Sequence, residues 1–449
     1  MPTLLAPTPL TDTERSQTLT EIEQVLQAAM ADLAAAPPAP GQRAPGRPPI
    51  LPALCLWTGL LACVLHGFSS YLDLWRLLTG LGLWHFPRVT VTDQALYARL
   101  ARDGTGPLER LFAQLSTLLA DRLAPWTGAA PAPFAAGVYA LDEMTLDQVA
   151  RLLPALRGAP AGAATLLPGK LSGLFDLRRQ QWARVEYQAD AQQNEKVAAR
   201  GMLAGLGTGS LVLADLGYFG FQWFDDLTAT GLWWVSRLRA RTSYTVSHTL
   251  YQCGDTLEAI IWLGAHRADR AKYAVRLVQF RQGGTLHRYV TNVLDPTVLS
   301  MAEAARLYAR RWDIELAFDL IKTHLGLHLL WAATPGVVLQ QVWAVLIIAQ
   351  VLQALRVEIA GRAGVDPYAV SLPLLVKYLP YLAYRGLDPV ATVVERGAAM
   401  RLIRPSSRTV IAAPEVPREA ITPLPPDVAL DRPPRYARRN GGPRAQSAA

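Results

Sequence analysis

The chain has 449 residues, with 44 Lys and Arg against 36 Asp and Glu and a formal charge of +8. That balance favours an acidic partner, nucleic acid or an anionic membrane surface, and the length allows two or three domains with a large core. Only three cysteines occur, Cys55, Cys63 and Cys253; without a CxxC or clustered histidines they support neither a disulfide framework nor a structural zinc site, and the chain reads as cytoplasmic.

The opening MPTLLAPTPLTDTERSQ has no positively charged region leading into an apolar one, so it does not read as a signal peptide. Residues 13–35 are expected to be helical, and the APPAPGQRAPGRPP that follows is a Pro/Gly-rich linker, giving a first segment of 1–48. The next segment, 49–130, has a helical pattern. Its apolar run 49–65 falls short of about 18 to 20 clean apolar residues, so a buried helix is expected rather than a membrane span. FPRVTVTDQALYARLARDG offers Thr92 or Asp93 as an N-cap, Ala95, Leu96 and Leu100 as an inner face, and Arg99 and Arg102 as exposed residues. Short helices before it would complete a helix-turn-helix-like unit suited to duplex DNA, with an ordinary helical bundle as the alternative.

From about residue 131 strands alternate with helices. GVYALD, 137–142, is an apolar run ending in a carboxylate; 173–177 and 182–188 read as two more strands, and LVLAD, 211–215, repeats the first form. A helix near 223–230 and a strand at 233–238 follow, then a strand-rich insertion at about 242–290. A carboxylate at the C-terminal end of a buried strand is held rigidly at a sheet edge, where open α/β sheets place their sites. Asp142 and Asp215 both satisfy that description. Three arginines alternate at 237, 239 and 241, as a DNA channel or as a solvated strand face.

The stretch 307–327 reads LYARRWDIELAFDLIKTHLGL and is expected to form a single helix. At roughly 100° per residue, Leu307, Ile314, Ala317, Phe318, Ile321 and Leu325 share a core stripe, and Tyr308, Arg311, Glu315 and Lys322 form a second row within about 60° of one another. The bland reading of that row is a solvated, salt-bridged face containing the Arg311–Glu315 pair. The functional reading is one carboxylate, two cations and a phenol able to hold a metal and a strand of phosphates. Spacing alone leaves both open. His324 and His328 have helical spacing but no third ligand, and read as structural or phosphate-facing.

Residues 337–355 are apolar but contain Gln340, Gln341, Gln350 and Gln353, again favouring a buried helix. A C-terminal helical region is expected at 361–421. The tail, 422–449, is Pro-rich and then basic, and is expected to be disordered.

Two strand-end carboxylates with Glu315 on a helix crossing near them would gather three like charges, whose usual resolution is a bound divalent cation. Two Mg²⁺ held this way suit in-line phosphoryl transfer. The spacing Tyr308-x2-Arg311-x3-Glu315-x6-Lys322, with ALDEMTL around Asp142, ADLGYF around Asp215 and TNVL before the helix, resembles the Y-R-E-K signature of bacterial insertion-sequence DDE transposases of the IS-four group, over roughly residues 135–360. The resemblance implies an α/β fold with a ribonuclease-H-like catalytic core (131–360), a β-rich insertion and a preceding helical domain. It implies Asp142, Asp215 and Glu315 as catalytic, metal-binding residues, with Mg²⁺ as cofactor and Mn²⁺ able to substitute, and Tyr308, Arg311 and Lys322 as DNA-binding residues. The implied partner is double-stranded DNA, transposon ends and target, bound as a dimer on paired ends and located on the bacterial nucleoid. Relatives often carry Arg after the second Asp, where this chain has Leu216. A transposase-derived DNA-binding protein, a stand-alone metal nuclease and a membrane protein are the alternatives.

Overall fold

In the computed structural model the described residues are 24, 26–32, 50–83, 86–146, 169–190, 192–264, 269–327, 329–332, 334–406 and 408–436. Residues 26–32 are helical, within the helix expected at 13–35, and before the sheet come α1 (Ala53–Leu65), α2 (Tyr71–Arg76), α3 (Asp93–Asp103) and α4 (Gly106–Leu123), with short π- and 3-10-helical turns at Leu77–Leu81 and Ala124–Trp126. Strands β1 (Val138–Thr145), β2 (Lys170–Asp176) and β3 (Gln181–Gln188) follow, then α5 (Glu195–Leu203), β4 (Leu211–Ala214), α6 (Phe221–Ala229) and β5 (Trp233–Arg237). Four strands come next: β6 (Tyr244–Cys253), β7 (Thr256–Leu263), β8 (Val275–Gln282) and β9 (Thr285–Thr291). The last elements are α7 (Met301–Arg310), α8 (Trp312–Asp319), α9 (Pro335–Ala363), α10 (Leu372–Tyr384) and α11 (Pro389–Arg396). The chain is mixed α/β and divides into two units. One comprises Met1–Gly128, Glu143–Asn194 and Asp313–Arg408; the other comprises Ala129–Asp142, Glu195–Trp312 and Thr409–Ala449.

The first unit is helix-rich and built around α9, which α1, α3, α4 and α11 pack against. Pro335 begins this helix and Gly364, at φ 66°, ends it, the usual asymmetry of a helix start and stop. By length and composition α9 could cross a membrane, yet 89% of its most apolar window is buried inside the protein. Its glutamines explain that placement. Gln340 donates to Leu100 O, Gln341 donates to Leu329 O at 2.8 Å, and Gln350 accepts from Trp182 N and donates to Trp182 O, these last two at 2.9 Å. Buried amides cost free energy unless hydrogen-bonded, so these bonds fix α9 against particular neighbours.

The helices of 53–123 therefore belong to the same unit as α9 and β3, and do not stand as the separate domain expected at 49–130. In α3, Thr92 caps as expected, its side chain accepting from Ala95 N at 3.1 Å, and Leu96 and Leu100 are buried. Ala95 is exposed and Arg99 half-buried, against expectation, because Arg99 reaches back to Leu51 O and Asp103.

The second unit is sheet-rich, with strand order β1-β4-β5-β9-β8-β7-β6. β1, β4 and β5 run parallel, and the rest of the order is antiparallel. Every residue of β4 is buried, as a parallel strand covered on both faces requires. Packing of α6 on β5 stacks Phe224 on Trp234 at 4.1 Å and 9°.

Two further expectations are corrected. Residues 422–436 are not disordered: Thr422 N donates to Leu250 O, Ala274 N to Leu430 O, and Arg435 and Arg270 exchange backbone bonds. Tyr436 Oη donates to Asp225 at 2.7 Å. Backbone pairing with the β6–β9 region supplies the order that a low apolar content does not. Residues 437–449 lie outside the described residues. The single helix expected over 307–327 is α7, α8 and a π-helical turn, Leu320–His324, with a break at Arg311. Every residue of its expected core stripe is nonetheless buried.

Candidate active site

Strands β1 and β4 pair in parallel register, ending with Leu141 opposite Ala214. The next residue on each strand is a carboxylate, Asp142 and Asp215. Neighbouring strands lie about 4.8 Å apart, so the sequence places two like charges side by side where β4 stops. Asp215 turns the chain by capping the short 3-10 helix Leu216–Tyr218, its Oδ1 accepting from Gly217 N at 2.8 Å. β1 continues to Thr145, beyond the end expected at Asp142.

A cation answers the paired carboxylates. Arg311 Nη1 lies 3.8 Å from Asp142 Oδ2, and its side chain is only 8% exposed. The guanidinium lies 5.9 Å from the ring centre of Tyr308 and 5.4 Å from that of Trp312. Tyr308 is itself buried, tilted against Tyr289 with ring centres 5.0 Å apart. Burial pushes its phenol upward, with Arg311 and Arg237 opposing the shift; burial pushes Tyr289 up to about 12. Both are neutral hydrogen-bonding groups at physiological pH. A solvated helix face would leave Tyr308 and Arg311 in water, so their burial removes the bland reading for these two.

Glu315 and Lys322 belong to the helix-rich unit, where both are half-buried. Glu315 sits on α8, which Phe318 docks onto β3 through Trp182 at 4.8 Å. Lys322 is on the π-helical turn, so the 100° reckoning that aligned it with Glu315 does not hold past Asp319. His324 Nε2 lies 3.6 Å from Asp319 Oδ2, which accounts for it as a surface pair; His328 is outside the described residues.

Sequence reasoning missed Glu195, at the start of α5. A Cβ added to Gly217 would lie 2.4 Å from Glu195 Oε2 and 3.0 Å from Asp215 Oδ1, so the two carboxylates share the space that Gly217 leaves open. An acidic residue in a first helical turn is ordinarily a macrodipole partner, and no signal in the sequence marked this one. Arg239, left unassigned between channel and strand face, donates from Nη2 to Leu216 O at 2.7 Å and lies 5.2 Å from the ring centre of Phe219. Its guanidinium is thus held beside Asp215.

The donor set suits a hard divalent cation, since Asp142 and Asp215 offer oxygen and the register brings them together. Among the described residues no group of three His, Cys, Asp or Glu side chains gathers closely enough to hold a metal ion. The expected three-carboxylate cluster is therefore present as one aligned pair in the sheet-rich unit, with Glu315 carried by the other unit.

Comparison with known proteins finds a family model that matches part of the chain. Residues 165–351 match the model described as the transposase DDE domain, a span that takes in Asp215 and Glu315 and begins after Asp142. The match supports a DDE transposase domain over that part of the chain. No curated protein matches the chain. A solved structure with some likeness is a cryo-EM structure of the piggyBac transposase synaptic complex with hairpin DNA, at TM-score 0.40 and 9% identity, covering 86% of this chain and 84% of that one. A likeness that distant supports no functional step.

Proposed function

We propose that this chain is a metal-dependent DNA transposase with a ribonuclease-H-like catalytic core, which cleaves at the terminal inverted repeats of its element and joins the freed 3′-hydroxyl to target DNA. The observation that carries the reading is the register that sets Asp142 beside Asp215, with buried Arg311 against Asp142. Asp142, Asp215 and Glu315 would hold Mg²⁺, or Mn²⁺ in its place. When bound, that ion supplies activation of the attacking oxygen and stabilisation of the leaving one.

The protein's own groups have separate tasks. Asp142 and Asp215 are fixed by strand pairing and by the Gly217 N–H, so they present oxygens with little reorganisation. Arg311 keeps the carboxylate pair from repelling in the absence of other cations and offers a planar fork to a DNA phosphate. Tyr308, neutral and buried, is a hydrogen-bond donor toward the strand; Lys322 adds a point charge. The net charge of +8 favours a nucleic-acid polyanion along the rest of the surface. Action on paired ends would be carried out by a dimer, in the cytoplasm on the nucleoid.

The test is strand transfer. An oligonucleotide carrying the repeat that brackets the coding sequence is incubated with the protein, Mg²⁺ and supercoiled plasmid. Cleavage at the repeat boundary followed by covalent joining to plasmid is the expected result. Cleavage without joining would mark a nuclease, and binding without either would mark a DNA-binding protein.

A further inference from the structure

Glu315 lies on a helix of eight residues, Trp312–Asp319, broken before it at Arg311 and run into a π-helical turn after it. So short a helix does not set its own rotation. Apolar contacts through Ile314, Ala317 and Phe318 bury one side, but dispersion contacts are individually weak and non-directional. Something directional is needed to fix where Glu315 points.

Asp313, two residues earlier, supplies it. At about 100° per residue the two side chains leave the helix on roughly opposite sides. Asp313 is 1% exposed. Its Oδ2 accepts from Gln180 Nε2 at 2.9 Å and from Arg408 Nη2 at 2.8 Å, and its Oδ1 lies 3.4 Å from Arg408 Nε. Arg408 spends its remaining Nη1 on Asp366, which in turn accepts from Tyr368 N at 2.8 Å. Tyr368 Oη donates to Gln180 Oε1 at 2.8 Å, and Arg356 Nη2 donates to the same oxygen at 3.0 Å. The guanidinium carbons of Arg356 and Arg408 lie 4.1 and 4.3 Å from the Tyr368 ring centre. Two carboxylates and two guanidiniums balance in charge, and all six residues belong to one unit.

Burying such a network gives little net stability, because desolvation offsets the attraction; what it does provide is one geometry. We propose that Arg408 and Asp313 are positioning residues that fix the rotation of α8 and thereby direct Glu315 for catalysis. This rests on the reading of Glu315 as a catalytic carboxylate.

The experiment uses the full chain as wild type, Arg408→Gln, Arg408→Lys, Asp313→Asn and Glu315→Gln. DNA affinity is measured without divalent ion, Mn²⁺ affinity by calorimetry without DNA, and single-turnover cleavage at saturating DNA across a Mg²⁺ titration. Arg408→Gln is expected to bind DNA like wild type, to bind Mn²⁺ more weakly, and to cut about ten-fold or more slowly with a raised Mg²⁺ requirement. Arg408→Lys, which keeps the charge without the fork, is expected to recover part of the rate. Wild-type rate and Mg²⁺ dependence in Arg408→Gln would overturn the proposal; if that variant does not fold, the same result in Asp313→Asn, which keeps the side chain's shape and removes its charge, overturns it. An inactive wild type, or an active Glu315→Gln, would instead sink the transposase reading or the role of Glu315, whatever Arg408 does.

Discussion

Gly217 shows how much one residue controls at the end of β4. Its N–H holds Asp215, and its missing side chain makes room for Glu195. In Gly217→Ala the nearest atom to yield is the flexible end of Glu195, so folding stability should change by less than about 1 kcal/mol. Asp215 Oδ1, 3.0 Å from the new Cβ, has less freedom. Cleavage should therefore fall while the unfolding midpoint holds, and an unfolding shift that tracks the activity loss would show that the glycine is structural only. Tyr308 gives a pH expectation of definite sign. Its pKa is raised by burial, so the folded state holds the proton more tightly than the unfolded chain does. The corresponding stability is fully present below the unfolded value of about 10 and is lost as pH rises through the folded value. Thermal midpoints measured from about pH 9 to about pH 11 should decline less steeply in Tyr308→Phe than in wild type; equal slopes would mean the phenol titrates as it does in water.

Among the elements, α8 and the β2–β3 hairpin depend on one small position. A Cβ at Gly173 would meet Trp182 at 2.5 Å and Phe318 at 3.2 Å, both rings fixed in the core. Gly173→Ala is expected to destabilise the chain by about 1–3 kcal/mol, as overpacking does, seen as a lower midpoint in denaturant; a midpoint at or above wild type would contradict this close packing of Gly173 against Trp182 and Phe318. Strands and most helices were legible in the sequence because apolar runs such as LVLA at 211–214 and 3.6-residue stripes are local signals. The break at Arg311 and the π-helical turn were not, since no Pro or Gly lies in either. The ordered course of 422–436 was equally hidden: Thr422, Leu430, Arg432 and Arg435 bond through the backbone to residues more than a hundred positions away.

For the whole molecule, Asp215 was visible as a strand-end residue, while Asp142 lies within β1, three residues before its end, and the alignment of the two became visible only with the register of Leu141 and Ala214. The grouping of the helices of 53–123 with α9 could not be read, because no local pattern states which helix a buried face will meet. Composition left an acidic partner open between nucleic acid and an anionic membrane surface, and the match of residues 165–351 to the transposase DDE domain favours nucleic acid. The central claim is that Asp142, Asp215 and Glu315 act as one set. Residues that act as a unit give strongly non-additive losses. The measurement to make is single-turnover cleavage of the element-end oligonucleotide by Asp142→Asn, Asp215→Asn, Glu315→Gln and the triple variant, each at saturating DNA with binding checked separately. Each single variant should bind DNA and fall to the same floor as the triple. Graded losses that add up across the three, or a Glu315→Gln protein that still cuts, would contradict the claim.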